Sequence, residues 1–434
     1  LDDIHIHQIK EKYGCYDENT EILTKTGWRY FKDLSYDSEI ATLENEELKY
    51  YKPNDIISYN YNGKMYHLST RGVDLLVTPN HNLYVAKGSY FYHKKDNLKI
   101  THNFELTTPN TYFGKNKRFK KGCIWKGLIP NEQFTIKGYE YESLFKKGGT
   151  KYRKYKLKDL IFNTQSFVEF LGFYIAEGCT NIKKGEIAIA CNNTDNGETS
   201  EYVEKIMRNL NIKYSVASID KPAKVFKIYS KVLSNWLIEN CGHLAPNKKV
   251  PEFIKTLDKK YIEIFLQSLY YGDGHKTKTA HVLTTTSKQL SDDVQELLLK
   301  IGYSFSYFTR EPNILKNKNR NIIGKHTAYY VNWLKKSNYF EIKKYKNNIE
   351  EWVDYDGMVY CVTVPNNIIY IRRNGKGVWC GNSLRFYTGS MIQGAFDIID
   401  KYEKLSTETC EVCGNKGKLR KYGWWETLCD KHMN

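Results

Sequence analysis

Hydrophobic positions follow two different periods along this chain. From Cys15 to about Val85, short alternating runs such as EIATLE, MYHLST and VDLLVT are separated by turn residues. Apolar residues at every second position suit strands with one buried face, so this stretch predicts a small all-β unit. From about Phe162 to Lys335, helical and strand patterns alternate instead. Between Val359 and Gly381 the strand pattern returns in VYCVTV and NIIYIRR, divided by Pro365-Asn366-Asn367. The β unit reads as one unit interrupted by a mixed one.

The mixed segment contains an internal repeat. SFVEFLGFYIAEG and IEIFLQSLYYGDG are both apolar helices ending in a Gly-acid-Gly-like turn. Strand-like segments follow each (EIAIAC and VFKIYS; HVLTTT, YSFSYF and AYYVNW), as do the helix-like EYVEKIMRNL and QLSDDVQELLLKI. Two equivalent half-domains are expected. Between the first β stretch and the repeat lies a basic, aromatic segment, FGKNKRFKKGCIWKG through KKGGTKYRKYKLKD. It is a linker or a DNA-contacting arm, and its charge does not decide which.

At 434 residues the chain exceeds one ordinary core, and about 100–200 residues per domain suggests two to four units. The net charge of +17 suits a polyanionic partner, because Lys and Arg release condensed counterions when they meet phosphates. A Lys-rich protein from an AT-rich genome would carry the same charge without such a partner. No apolar run approaches the roughly 18 residues of a membrane span, and LDDIHIHQIKEK is too polar for a signal peptide, so a cytoplasmic protein is expected. The chain opens on Leu1 rather than Met, which leaves its true N-terminus open. Ten scattered cysteines do not resemble a secreted disulfide framework and read as thiols, metal ligands or nucleophiles.

The residue types at the ends of the β pattern carry chemistry. Gly14-Cys15 opens it, Thr78-Pro79-Asn80-His81 follows a strand, and Gly381-Asn382-Ser383 closes it. A thiol can attack the preceding carbonyl to give a thioester if something polarises the bond and protonates its leaving nitrogen. Thr78 and His81, three apart on a turn, supply a hydroxyl and an imidazole for that task. Ser383 could then take the acyl group, and the Asn382 amide could cyclise onto its own carbonyl and sever the downstream bond.

The stretches CYDENTEILTKTGWRYFKDL, LLVTPNHNLYV and VYCVTVPNNIIYIRRNGKGVWCGN with Ser383 resemble the splicing blocks of inteins, the self-excising elements of the Hint fold. The resemblance covers Cys15 to Asn382. It implies that Cys15 is the first nucleophile, that Thr78 and His81 assist the acyl shift, that Asn382 cyclises and that Ser383 is the acceptor, with no cofactor. Two positions depart from the pattern. Gly381 stands where most inteins have histidine, and Ile368 or Asn367 stands where an upstream histidine is often found. Cys361 occupies the place of a catalytic Asp in many inteins; it acts as acid or base near a pKa of about 8.5, or packs as a small strand residue. Cys380 is taken as structural.

LGFYIAEG and LQSLYYGDG resemble the paired signature helices of LAGLIDADG homing endonucleases. That resemblance places Glu177 and Asp273 as a carboxylate dyad binding Mg²⁺ to activate water at a phosphodiester. The alternative is two amphipathic core helices with acidic ends. Lys248, in NKKVPEFI, matches a segment that often sets a basic residue beside the dyad, with Lys249 as the confounder. Lys183, Lys184, Lys227, Lys276, Lys278, Arg310, Lys335 and Lys336 could line a DNA saddle or simply be surface charge.

Past the β pattern, Cys410-x2-Cys413 and Cys429-x2-His432 have the spacing of zinc knuckles, three thiolates and an imidazole closing a tetrahedral structural Zn²⁺ site. The joined flanks, a size that usually needs a metal staple, resemble small zinc-containing phage proteins.

The expectation is thus a multidomain chain. Residues 1–14 form an N-terminal extein, 15–100 and 341–382 an all-β Hint splicing domain, and 101–160 the basic linker or arm. Residues 161–340 form a mixed αβ two-repeat LAGLIDADG endonuclease, and 383–434 a zinc-knuckle C-terminal extein. Its partner would be double-stranded DNA spanning the insertion site of the uninterrupted host gene, with no membrane, and the protein would act as a monomer. Two rivals stand: an endonuclease whose splicing has decayed, and a nucleic-acid-binding zinc protein with an inert insertion.

Overall fold

The computed structural model describes residues 14–88, 103–146, 150–192, 198–219, 223–276, 281–312, 314–317, 320–323, 325–333, 339–343, 348–382, 405–422 and 424–433. The chain divides into two compact units, Leu1–Leu384 and Arg385–Asn434.

In the large unit, two 15-residue strands, Asp55–Ser69 and Ile349–Thr363, run antiparallel along their whole length, with Asp55 opposite Thr363 and Ser69 opposite Ile349. With Tyr16–Asp17 and Asp74–Val77 they close a barrel. Beside it, Lys376–Gly381 and Ile368–Arg373 extend a sheet containing Glu21–Thr24, Ile40–Glu44 and Glu47–Tyr51. A third sheet takes Tyr339–Ile342, Lys117–Lys120, Leu83–Lys87 and Glu105–Thr107 in that order. Each sheet is built from strands on both sides of the mixed segment. Alternation produces this directly, since Tyr66, Leu68, Val362 and Val364 all point into one buried cluster.

The basic stretch differs from a linker or arm in its first half. Lys117, Lys120 and Lys121 are buried, in or just after a central strand. Lys117 pairs with Glu350, Lys120 with Glu46, and Lys121 donates to the carbonyls of Gly72 and Gly377. Burial pushes the Lys121 ammonium down to about 7. Charge runs in sequence do not reveal acidic partners 74 and 233 residues away, and these partners turn a solvated run into a core strand. The second half is a hairpin, Glu140–Lys146 with Thr150–Lys156, on which Arg153, Lys154 and Lys156 are exposed.

The repeat is visible in the backbone. Helices Thr164–Glu177 and Lys259–Asp273 start on Asn163 and Asp258, whose side chains accept from Ser166 N–H and Tyr261 N–H. They end at Gly178 and Gly274, whose N–H groups return to Tyr174 and Tyr270. A four-stranded antiparallel sheet follows each, with the same order of first, second, fourth and third strand. The two helices lie against each other at their glycines. A Cβ at Gly172 would come within 2.4 Å of the Phe265 carbonyl, and one at Gly272 within 2.4 Å of the Ala176 Cβ.

The helix Lys288–Lys300 is buried along nearly its full length between the repeat and the β unit. Leu299 packs in one cluster with Leu23, Leu43 and Trp379. Arg372 of the β unit, 1% exposed, donates to Glu21 at 2.6 and 2.8 Å and to Asp292 at 2.8 Å. In the small unit, Lys418–Tyr422 and Trp424–Leu428 form a hairpin. Among the described residues, no helix is long and apolar enough to cross a membrane.

Candidate active sites and metal centre

Cys15 follows directly on Gly14 and precedes the barrel strand Tyr16–Asp17, in a fully buried position. Its N–H donates to Thr78 Oγ1 at 2.8 Å, and the Thr78 hydroxyl in turn donates a hydrogen bond to Asn80 Oδ1 at 2.8 Å. Thr78 N–H returns to the Cys15 carbonyl at 3.0 Å, which locks the turn to the junction. A Cβ at Gly14 would sit 2.4 Å from His81 Cα, so only glycine lets the turn close on this peptide. His81 is buried, and burial pushes its imidazole down to about 4 against an opposing interaction with the Gly14 backbone. The ring is therefore neutral at pH 7.

The Cys15 thiol is held well above its ordinary pKa, first by burial and then by its hydrogen bond to Cys361; the Tyr59 hydroxyl alone pulls it down. Cys361 shares a closed apolar cluster with Cys15, Tyr59 and Val359. Cys380, expected to be structural, places its Sγ 3.4 Å from His81 Nε2.

The far end of the β pattern arrives at the same place. Tyr16 Oη donates to the Gly381 carbonyl at 2.6 Å, across 365 residues of sequence. Asn382 is fully buried; its Nδ2 donates to the Val362 carbonyl at 2.8 Å, and Asn82 Nδ2 donates to its main-chain carbonyl at 3.0 Å. Ser383 lies outside the described residues. Tyr16, Tyr59 and Asn82 carried no sequence signal, because their partners are remote in the chain. Asn82 is adjacent to His81, and that adjacency was the only available hint.

At the other site the motif helices deliver Glu177 and Asp273 into one cavity of about 490 Å³, which Lys248 and His243 also line. Burial raises the Glu177 carboxyl above its usual range. Asp273 is pushed up to about 7 by burial and then by Glu177, with Lys248 opposing. Carboxylates sharing a cavity resist simultaneous ionisation, and a hard divalent cation would relieve both, so this pair fits Mg²⁺. Lys248 is 6% exposed; its Nζ donates to the carbonyls of Gly178 at 2.9 Å and Tyr174 at 3.3 Å. The half-buried Lys249 is absent from the cavity lining. Lys183, Lys184 and Arg310 are exposed, and Lys227 pairs with Glu186. Lys278, Lys335 and Lys336, and the side chain of Lys276, lie outside the described residues.

In the small unit the ligand atoms of Cys410, Cys413, Cys429 and His432 all lie within 4.8 Å of one another. Cys413 and Cys429 Sγ are 3.7 Å apart, and His432 Nδ1 is 3.3 and 3.5 Å from Cys429 and Cys410 Sγ. Two sulfurs bound at about 2.3 Å to a tetrahedral ion would be separated by about 3.8 Å, close to the spacing of Cys413 and Cys429, so the set fits Zn²⁺.

Comparison with known proteins gives relatives with several different named activities. The chain is 26% identical to a DNA-directed RNA polymerase subunit beta C-terminal section from Stigeoclonium helveticum, covering 87% of this chain and 37% of that protein. It is 25% identical to an ATP-dependent Clp protease proteolytic subunit from Chlamydomonas moewusii, over 94% and 48%. A ribonucleoside-diphosphate reductase subunit beta from Aquifex aeolicus is 22% identical, over 87% and 51%. The chain thus spans between about a third and a half of the length of these relatives. Among solved structures, the homing endonuclease I-DmoI in complex with DNA and Ca aligns over 39% of this chain and 82% of its own, at 16% identity and a TM-score of 0.27. Residues 260–332, which hold the second motif helix and most of the strands after it, match the LAGLIDADG-like domain family, and the chain therefore carries a LAGLIDADG-like domain.

Proposed function

We propose that residues 15–382 are a self-splicing element of the Hint type that joins Gly14 to Ser383 and carries a DNA-cutting LAGLIDADG endonuclease. The observation that carries this reading is the meeting of both junctions on one turn: Thr78 Oγ1 takes the Cys15 N–H, and four residues later Asn82 Nδ2 reaches the Asn382 carbonyl. A fold with no chemistry at its ends has no need to bury both ends on one turn that carries an imidazole. The relatives support the same reading, since an inserted element would be shared by hosts as different as a polymerase, a protease and a reductase.

In this scheme the Cys15 thiol attacks the Gly14 carbonyl. His81, neutral at pH 7, can only accept a proton first and return it later, so it serves as base before acid. Thr78 and Asn80 hold the nitrogen that becomes an amine. Ser383 takes the acyl group, and Asn382 cyclises. The thiol of Cys361, hydrogen-bonded to that of Cys15, orients the nucleophile.

The dyad reading makes Glu177 and Asp273 the holders of Mg²⁺, which when bound would activate water and stabilise the leaving oxygen. Lys248 fixes the turn at Gly178 and adds positive charge to the cavity. The partner is duplex DNA spanning the codons of Gly14 and Ser383 in an uninterrupted host gene. The flanks form a small host protein with a structural Zn²⁺. Purified chain, incubated and weighed by mass spectrometry, is expected to yield a ligated host and a free 15–382 fragment. Full-length chain unchanged under all conditions would sink the splicing reading.

A further inference from the structure

The turn bearing Thr78 and His81 ends on Asn82, and Asn82 grips the far junction twice. Its side-chain Nδ2 donates to the main-chain carbonyl oxygen of Asn382 at 3.0 Å. Its own carbonyl accepts from the Gly381 N–H at 2.9 Å, which fixes the register of the contact. The Asn382 N–H is held by the Asn367 carbonyl at 3.0 Å, and its side-chain Nδ2 by the Val362 carbonyl at 2.8 Å. The main chain and the Nδ2 of the reacting residue are thus held, and among the described residues Asn82 is the donor on the carbonyl that must react.

We propose that Asn82 is a catalytic residue of the C-terminal cleavage, its amide stabilising the oxyanion that forms on the Asn382 carbonyl; this rests on the splicing reading. In the step, Asn382 Nδ2 bonds to its own main-chain carbonyl carbon and an electron pair moves onto the oxygen. The pair returns as the bond to the nitrogen of residue 383 breaks. Nδ2 gives up one proton and the departing nitrogen gains one, so a succinimide and an amine result with no co-reactant. A preorganised donor about 3 Å from an oxygen that gains charge strengthens as the charge develops, and it requires no rearrangement in a dry site.

The same geometry accounts for Gly381. A Cβ at that position would lie 2.6 Å from the Asn82 carbonyl oxygen and 2.8 Å from the Asn82 Cβ. Any side chain there, histidine included, would push Asn82 off the reacting carbonyl. An imidazole at 381 and an amide at 82 are therefore alternatives, and this chain uses the amide. His81 and Asn82, adjacent in sequence, divide the labour, one at each junction.

The test uses the full chain and reads two products of one reaction: the fragment ending at Gly14, released by hydroxylamine, and the fragment ending in a succinimide at residue 382. Asn82→Asp keeps the shape and removes the donor. It is expected to slow succinimide formation about 10²–10³-fold, the usual loss for one oxyanion donor, while release at Gly14 keeps its rate. Gly381→Ala, which displaces Asn82 without altering it, is expected to slow the same product. Succinimide formation at the parental rate in Asn82→Asp would overturn the assignment alone. A parent chain giving neither product would overturn the splicing reading and this assignment with it.

Discussion

The two candidate active sites of the large unit are built on opposite principles. At the junctions the described groups proposed to react are buried and held by the chain itself: Cys15, His81 and Asn382 have no exposed surface, and their partners include Thr78, Gly14, Val362 and Asn82. At the dyad, two carboxylates and a lysine open onto a cavity, and the carboxyls are raised by burial and, at Asp273, by the neighbouring Glu177, against the pull of Lys248. A site whose substrate is its own backbone can be complete and dry. A site that acts on another molecule must be left electrostatically incomplete. The contrast explains why the same physical cause, burial, pushes a histidine toward neutrality in one place and prepares a carboxylate pair for a cation in the other.

The sharpest way to break this contrast is to cross the variants. Glu177→Gln and Asp273→Asn each remove a charged ligand with little change of volume. They are expected to bring Mg²⁺-dependent cleavage of a plasmid carrying the fused Gly14 and Ser383 codons below detection, while splicing proceeds at the parental rate. Cys15→Ala with Asn382→Ala should do the reverse, leaving a full-length chain that still cuts. DNA binding should outlast the dyad changes and weaken steeply with salt, since exposed cations such as Lys183, Lys184 and Arg310 would hold phosphates without the metal. A dyad variant that also blocked splicing would show that the sites are not separable.

Independence of chemistry does not mean independence of fold. Arg372 stands in the β unit yet is paired with both Glu21 and Asp292, the latter on the helix Lys288–Lys300. Arg372→Met leaves two carboxylates without their buried partner and should destabilise the large unit by about 3–5 kcal/mol, measured by denaturant unfolding. Glu21→Gln with Asp292→Asn in the same background should recover part of that loss. A change below about 1 kcal/mol would place the ion pair among exposed ones of little consequence.

What was legible in the sequence follows from the range of the forces involved. Strand alternation and the two Gly-acid-Gly helix ends are local, and they placed the interrupted β unit and the repeated helix-and-sheet halves. Cys15, His81 and Asn382 could be singled out because reactive types stood at fixed places in quoted stretches. Lys117, Lys120 and Lys121 were misjudged because their partners, Glu350, Glu46 and the Gly72 and Gly377 carbonyls, are assembled only by folding. Asn82 and Tyr16 were invisible for the same reason: each acts on a residue at least 300 positions away. The absence of histidine at 381 was legible, but its cause was not, because it is a backbone clearance.

Protonation offers a smaller but cleaner probe of the closed site. The Cys15 thiol is raised well above its ordinary value by burial, so it stays protonated over the neutral range. His81 is lowered to about 4, so it stays neutral and ready to take the thiol proton over the same range. The rate of release at Gly14, captured by hydroxylamine at fixed free-base concentration, should therefore stay nearly flat from about pH 6 to 8.5. A break near 6.5 would mean an ordinary, solvated histidine, and a rise of about tenfold per pH unit a thiolate formed without His81. Either would contradict a buried pair that exchanges one proton.

The smallest expected effect is that of zinc on the chemistry of the large unit. Cys410, Cys413, Cys429 and His432 all belong to the unit Arg385–Asn434, a size that usually needs a metal staple. A zinc-selective chelator should therefore unfold that unit, seen as lost thermal protection and newly reactive thiols. Release at Gly14 should meanwhile change by less than about twofold, since no thiolate of the tetrahedral set takes part in it. Added zinc in excess is the control with the opposite sign. Cys15, Cys361 and Cys380 are thiols in one neighbourhood with His81, and a metal that captured them would slow the first step. If chelation itself stopped that step, the metal would have to sit at the junction, and the division of labour between the two units would fail.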